Sequence, residues 1–100
     1  MSFLDRVAAS QRLHVLQLLE QDAGYSHNQH IMAAGLTALG HAVSTDEVRD
    51  HIRWLEKAGV LSVKDVQGIG LVATINDRGV EVTTGRLQVD GIERPRPGAL

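Results

Sequence analysis

Along the first 21 residues, apolar side chains recur at helical spacing. Leu4, Val7 and Ala8 open the pattern, and Leu13, Val15, Leu16, Leu18 and Leu19 continue it between Arg12, His14, Gln17 and Glu20. The run is long and rich in good helix formers, which predicts a helix over residues 2–21 rather than a strand. Its apolar face is wide. It suits a core helix touched on two sides, or a core helix that lends part of its surface to a dimer contact. Ala23-Gly24-Tyr25 ends the pattern. Ser26 with Gln29 three residues on has the spacing of a capping box and predicts a second helix over residues 27–39. There Ile31, Ala34, Gly35 and Ala38 make a close-packing stripe beside Met32, Leu36 and Leu39, and Gly40 is placed to stop the helix.

A second capping box, Ser44 with Glu47, follows after only His41, Ala42 and Val43. Val43 and Val48 occupy the hydrophobic-staple positions of a third helix that runs to about Ala58 and stops at Gly59. A helix, a short turn and a well-capped helix make a helix-turn-helix. The period then changes. Residues 60–66 and 71–75 are rich in β-branched side chains, and Gln67-Gly68-Ile69-Gly70 lies between them, which reads as a hairpin. A hairpin directly after a helix-turn-helix is a wing. Residues 76–79 open a last short helix around Val80 and Val82. The expected fold is therefore α+β: a winged helix-turn-helix of three helices, a two-stranded wing and a short C-terminal helix. The domain is expected to span residues 1–88, with residues 89–100 as an extended tail containing Pro95, Pro97 and Gly98.

One hundred residues suit one domain, and a 43% hydrophobic content is enough for a core. With only Phe3, Tyr25 and Trp54 aromatic, that core must be mostly aliphatic. The absence of cysteine excludes disulfides and thiolate chemistry and permits a cytoplasmic location. No apolar run approaches the roughly 20 residues that span a bilayer, and no secretory signal opens the chain, so no membrane partner is expected.

Net charge changes the functional picture. At −2 the chain lacks the overall basic character of many nucleic-acid binders, so the placement of its charges decides the matter. At about 100° per residue, Val48, Ile52, Leu55 and Gly59 of the third helix face the core. Asp46, Arg49, Asp50, Arg53 and Lys57 face outward. Arg49, Arg53 and Lys57 form a stripe able to reach guanine edges or phosphate. With Thr45 at the helix start and Lys64 near the wing, they are the candidate DNA-binding residues. The same helix carries Asp46, Glu47, Asp50 and Glu56, which repel phosphate. A solvated helix laced with pairs such as Asp46–Arg49 or Arg53–Glu56 is the competing reading. Trp54, on the flank, is expected to pack against the first helix or the C-terminal segment, and otherwise to anchor a protein partner.

Other chemistry finds little footing. His27 and His30 are one turn apart, but three or four converging ligands are not discernible, so no metal is expected. Gly68-Ile69-Gly70 lacks the lysine and the following helix of a phosphate loop. No nucleophile motif appears, and Asp46 and Asp50 lie where nothing raises a carboxylate pKa for acid–base work. Neither an enzyme nor a cofactor is expected.

The chain resembles the small winged-helix proteins encoded by Mu-like phages and prophages. The resemblance covers residues 12–97. It rests on Arg12-Leu13 with Leu16, Leu18 and Leu19; on Gly24-Tyr25-Ser26 with Asn28; on Gly40-His41-Ala42-Val43-Ser44 with Asp46, Val48 and Arg49; on Trp54-Leu55 with Gly59; on Gly79 and Gly85-Arg86; and on Gly91 with Arg94-Pro95 and Pro97. It implies a fold related in shape to bacterial regulators of the ArsR and MarR kinds, which bind operator DNA as dimers. The expectation is a phage- or prophage-encoded transcriptional regulator, a homodimer binding double-stranded DNA in the host cytoplasm. Metal sensing is not carried over, because the cysteine ligands of ArsR proteins are missing. The alternative is a non-catalytic module that binds a host or phage protein, for instance in phage assembly.

Overall fold

The structure is a computed structural model that describes residues 2–97. The chain forms α1 (Phe3–Gln21), β1 (Ser26–Asn28), α2 (Gln29–Ala38), α3 (Thr45–Lys57), β2 (Leu61–Val66), β3 (Gly70–Ile75) and α4 (Asp77–Thr83). It is a small α+β fold with four helices and one antiparallel sheet in the order β1-β3-β2. The order of elements, with β3 central, is compatible with a winged-helix-like domain.

Local sequence signals start most of the helices where expected. The Ser2 hydroxyl accepts from the Asp5 amide while the Asp5 carboxylate accepts from the Ser2 amide, a full capping box ahead of α1. Ser44 and Glu47 do the same for α3. Gly40 and Gly59 follow α2 and α3 at φ +97° and +79°, where a side chain would be strained. Asn76 caps α4 by accepting from the Gly79 amide at 2.9 Å.

The second helix departs from its predicted start. Ser26 does not cap it. The backbone at Ser26–Asn28 pairs with Val72–Thr74 of β3, so the sheet has three strands rather than the two of a bare wing. Asn28 is the cap, its Oδ1 accepting from the His30 and Ile31 amides at 2.9 Å each. Strand pairing overrode a local capping signal two residues upstream. The shift also rotates the buried face. Gln29, Met32 and Leu36 point inward, whereas Ile31, Ala34 and Ala38 are exposed and so do not form the expected packing stripe. Gly35 alone of that stripe makes the close approach, against Leu18 of α1.

The core lies between the helices and one sheet face. Leu16 and Leu19 of α1, Met32 and Leu36 of α2, Val48, Ile52 and Leu55 of α3, and Leu71, Ala73 and Ile75 of β3 meet there. Alternation along β3 puts those three inward and leaves Val72 and Thr74 half-buried on the other face. The segment after α4 has no regular secondary structure but does not lie free. Ile92 is buried, the Glu93 amide donates to the Ala9 carbonyl at 3.1 Å, and Arg12 donates to the Gly91 carbonyl at 3.0 Å. Core packing thus continues past residue 88 into the expected tail, of which residues 98–100 lie outside the described residues.

Gly79 separates two physical effects. Helix propensity alone favours alanine over glycine by about 1 kcal/mol. A β-carbon at Gly79, however, would overlap the Val60 carbonyl oxygen and press on Ile75. We expect Gly79→Ala to destabilise the fold by about 1–3 kcal/mol in urea denaturation. A more stable variant would mean that α4 docks less tightly than described.

Candidate nucleic-acid interface on the third helix

Thr45, Arg49, Arg53 and Lys57 follow one another at four-residue spacing along α3. The row turns slowly outward: Thr45 and Arg49 are half-buried, and Arg53 and Lys57 are exposed. Arg53 Nη1 lies 3.1 Å from Glu56 Oε1, an exposed pair of the kind that contributes little to stability. Lys57 is one turn further on, in the last turn of the helix, where a cation complements the helix dipole.

Arg49 is held differently. Its Nη1 donates to Gln29 Oε1 at 2.7 Å, and the expected pairing with Asp46 is not formed. The same Gln29 oxygen accepts from the Leu71 amide at 2.7 Å. Gln29 is only 6% exposed, so one buried amide joins the start of α2, the middle of α3 and the start of β3. Among the described residues no carboxylate lies within ion-pair distance of Arg49. It is a fixed cation with uncommitted donors. In the sequence Gln29 stands out only as a capping partner of Ser26. The available signal was its place on the Met32 and Leu36 face, where a polar residue must find a buried partner.

Lys64 does not join this row. It stands on the solvent face of the sheet, beside Ser26, Ser62, Val72 and Thr74. Asp46, Glu47 and Asp50 are exposed on α3, so the helix presents both signs of charge. Trp54 packs as its flank position suggested. The Arg12 guanidinium lies over its ring at 4.1 Å from the centroid, and Gly91 sits against its edge, where a β-carbon would be 2.6 Å from Cζ2. A shallow depression beside the indole is bordered by Asp50, Arg53, Glu56 and Lys57.

Behind α3 lies a histidine system that the sequence did not disclose. His51 is buried on the face of Val48 and Leu55. Its Nε2 donates to Gln11 Oε1 at 2.7 Å, and its Nδ1 accepts from Arg12 Nε at 3.3 Å, which fixes the neutral tautomer. Burial, then Arg12, push its pKa below the ordinary value, against the opposing pull of Glu47 and Asp50, with His41 adding a little to the lowering. His14 and His41 share a hydrogen bond at 2.7 Å. His27 pairs with Asp22 at 3.1 Å, and His30 is exposed. Among the described residues, no three side chains of metal-binding type converge. No helix of the described residues is long and apolar enough to cross a membrane.

Fold and surface together define a class: a small α+β domain of four helices and a three-stranded antiparallel sheet, compatible with a winged helix, whose third helix carries Arg49, Arg53 and Lys57 in a row. Two relatives give the particular family. Uncharacterized protein gp26 of Escherichia phage Mu is 38% identical over 95 residues, covering 95% of this chain and 97% of its own. An uncharacterized protein of Haemophilus influenzae is 39% identical over 84 residues, covering 84% of this chain and 81% of its own. The chain belongs to the family of phage Mu gp26. No family model and no solved structure matches it.

The buried histidine makes stability depend on pH. Above the unfolded value of about 6.5 both states hold His51 neutral, and its contribution is complete. As pH falls through that value, the unfolded chain takes up the proton first, because the folded pKa is lower, and stability is lost. His14, whose pKa is also lowered by burial and by His41, acts in the same direction. Urea denaturation from pH 8 to pH 5, roughly the histidine range, should show a falling unfolding free energy. His51→Gln should flatten part of that fall. A variant with the wild-type slope would exclude His51 as a source.

Proposed function

We propose that the protein is a phage-encoded DNA-binding transcriptional regulator, with α3 in the major groove. The observation that carries this reading is Arg49, a cation without a carboxylate partner among the described residues, fixed by Gln29 between α3 and the hairpin. A preorganised guanidinium loses little entropy on meeting a guanine edge or a phosphate. Arg53 and Lys57 extend the contact along the helix, and Thr45 contributes at its start. Lys64, on the sheet, has no part in the helix contact and would act only where DNA bends around the wing. The protein acts in the cytoplasm of the bacterial host, where the operator is.

A homodimer fits this reading. Phe3 and Leu4, 77% and 75% exposed, leave apolar surface at the start of α1 that a second copy would cover. A dimer would also supply the second half-site contact that a monomer of net charge −2 needs.

Asp46, Glu47 and Asp50 favour a second reading. Their carboxylates oppose phosphate but suit a basic protein surface, and the depression beside Trp54 offers an aromatic edge to such a partner. In that case the domain is a non-catalytic interaction module for a host or phage protein.

Fluorescence anisotropy with mixed-sequence duplexes separates the two. For a DNA-binding domain, the logarithm of affinity should fall linearly with the logarithm of salt concentration. Arg53→Ala should weaken binding and reduce that slope by about 1, as expected for one lost phosphate contact. Absence of binding at low salt, or an unchanged affinity in the variant, would remove α3 as the DNA contact and leave the protein-binding reading.

A further inference from the structure

A second polar site lies away from the outward face of α3. Between α1 and the segment after α4 is a pocket of about 280 Å³. Ser10, His14 and Gln17 line it from α1, and Glu93, Arg94 and Arg96 line it from the C-terminal segment. No residue of α3 borders it.

Gln17 is the telling residue. It is 7% exposed, yet its side-chain amide makes no hydrogen bond to any described residue. None of the buried side-chain polar atoms among the described residues is sealed from solvent without a partner, so this amide keeps its contact through the pocket. The amide is therefore open to the pocket, with its donors and acceptor available to a group bound there. Among the described residues, two guanidinium groups, one hydroxyl and one imidazole stand around it against a single carboxylate, so donors outnumber acceptors and two permanent positive charges face one negative charge.

We propose that this pocket is a binding site for a small oxoanion, a phosphate or sulfate group, held by Gln17, Ser10, Arg94 and Arg96, with His14 at its edge. The volume is too small for an extended ligand and suits a tetrahedral anion with its waters. Guanidinium groups match oxoanion geometry with paired N–H donors. His14 ties the site to the rest of the fold. One of its nitrogens is taken by His41 of the α2–α3 turn, and the other is not engaged in that bond. The charged and titratable groups around it are His41 from the turn and Glu93, Arg94 and Arg96 from the C-terminal segment. An anion in the pocket favours protonated His14, so binding tightens as pH falls. The phosphate could be free or part of a nucleic-acid backbone. Because the site shares no residue with the α3 row, it stands or falls independently of DNA binding through that helix.

Sulfate is the appropriate probe, since its charge is constant across the histidine range. In nuclear magnetic resonance titrations of the full chain at constant ionic strength, sulfate should shift the Gln17 side-chain amide and the His14 ring saturably, with a Kd on the order of 1–10 mM. The affinity should be about fivefold or more higher at pH 5.5 than at pH 8. The double variant Arg94→Ala/Arg96→Ala changes two exposed side chains and should bind about tenfold more weakly, the loss of a charge-assisted contact. Gln17→Met keeps the site's bulk and should weaken binding in the same titration, read at His14. A short DNA duplex that displaces sulfate from Gln17 would identify the phosphate source as the nucleic-acid backbone; one that does not would identify it as a free ion. Shifts that do not saturate, equal affinity in the arginine variant, or affinity independent of pH would overturn the proposal.

Discussion

One buried oxygen sets the relative positions of helix, helix and hairpin. Gln29 Oε1 accepts from the Leu71 amide of β3 and from Arg49 of α3, both at 2.7 Å. The Leu71 amide is buried and is satisfied through this side chain rather than through the sheet ladder. Leaving it unpaired would cost more than an ordinary hydrogen bond contributes, so the hairpin stays where Gln29 holds it. Arg49 is drawn into the same junction. A long cationic side chain that would otherwise sample many rotamers is thereby fixed beside the hairpin. Gly70 belongs to this arrangement too, because a β-carbon there would collide with the Gln29 amide. The junction of α2, α3 and the hairpin is organised by a neutral side chain that is itself buried.

On the opposite side of α3 the organising contacts come from far along the chain. Arg12 bonds the Gly91 carbonyl, supports His51 and covers the Trp54 ring. The C-terminal segment therefore closes the domain over α1 and α3. Its irregular backbone is compatible with this, because the Glu93 amide finds the Ala9 carbonyl and Ile92 supplies the apolar contact. The helix that would meet DNA is clamped from both sides, by Gln29 towards the hairpin and by Arg12 towards the C-terminal segment. A domain built this way delivers its outward row as a rigid unit.

Much of the fold was legible because its signals are local. The apolar periodicity of the first 21 residues, the capping box at Ser44, the stops at Gly40 and Gly59 and the change of period after Gly59 depend on neighbours in the chain, and they placed α1, α3 and the hairpin. The errors lie where a distant partner decided. Ser26 has a capping partner at the right spacing, but β3 takes its backbone, and the helix begins at Gln29 instead. Gly91 and Glu93 fall in the stretch expected to be a tail, yet Arg12 and Ala9, some eighty residues earlier, hold them. For the site, spacing gave the row of Thr45, Arg49, Arg53 and Lys57 but not the state of each member. The Arg53–Glu56 pair was legible from its local spacing, but that Arg49 is bonded to Gln29 rather than Asp46 and that Lys64 stands elsewhere follow from tertiary packing. His51 drew no expectation from the sequence, yet its position between Val48 and Leu55 on the inward face of α3 buries it.

The charge pattern of α3 then bears on how such a domain would discriminate. A uniformly basic helix would bind any duplex through phosphate neutralisation and gain little from sequence. A helix with Asp46 and Asp50 interleaved among Arg49, Arg53 and Lys57 forgoes part of that nonspecific attraction. Its carboxylates are a penalty against phosphate in the wrong register, and a cytosine amino group in the right register would offset it. The same interleaving suits a basic protein surface, which is why composition alone leaves two partners open. What distinguishes them physically is rigidity. Base readout needs its donors fixed to within a fraction of an ångström, whereas a protein partner can adapt to mobile side chains. The Gln29–Arg49 bond supplies that fixity at the one cation on α3 that is half-buried, beside the hairpin, and free of a carboxylate. It costs the fold a buried polar junction, and a surface used only for solvation would gain nothing from it.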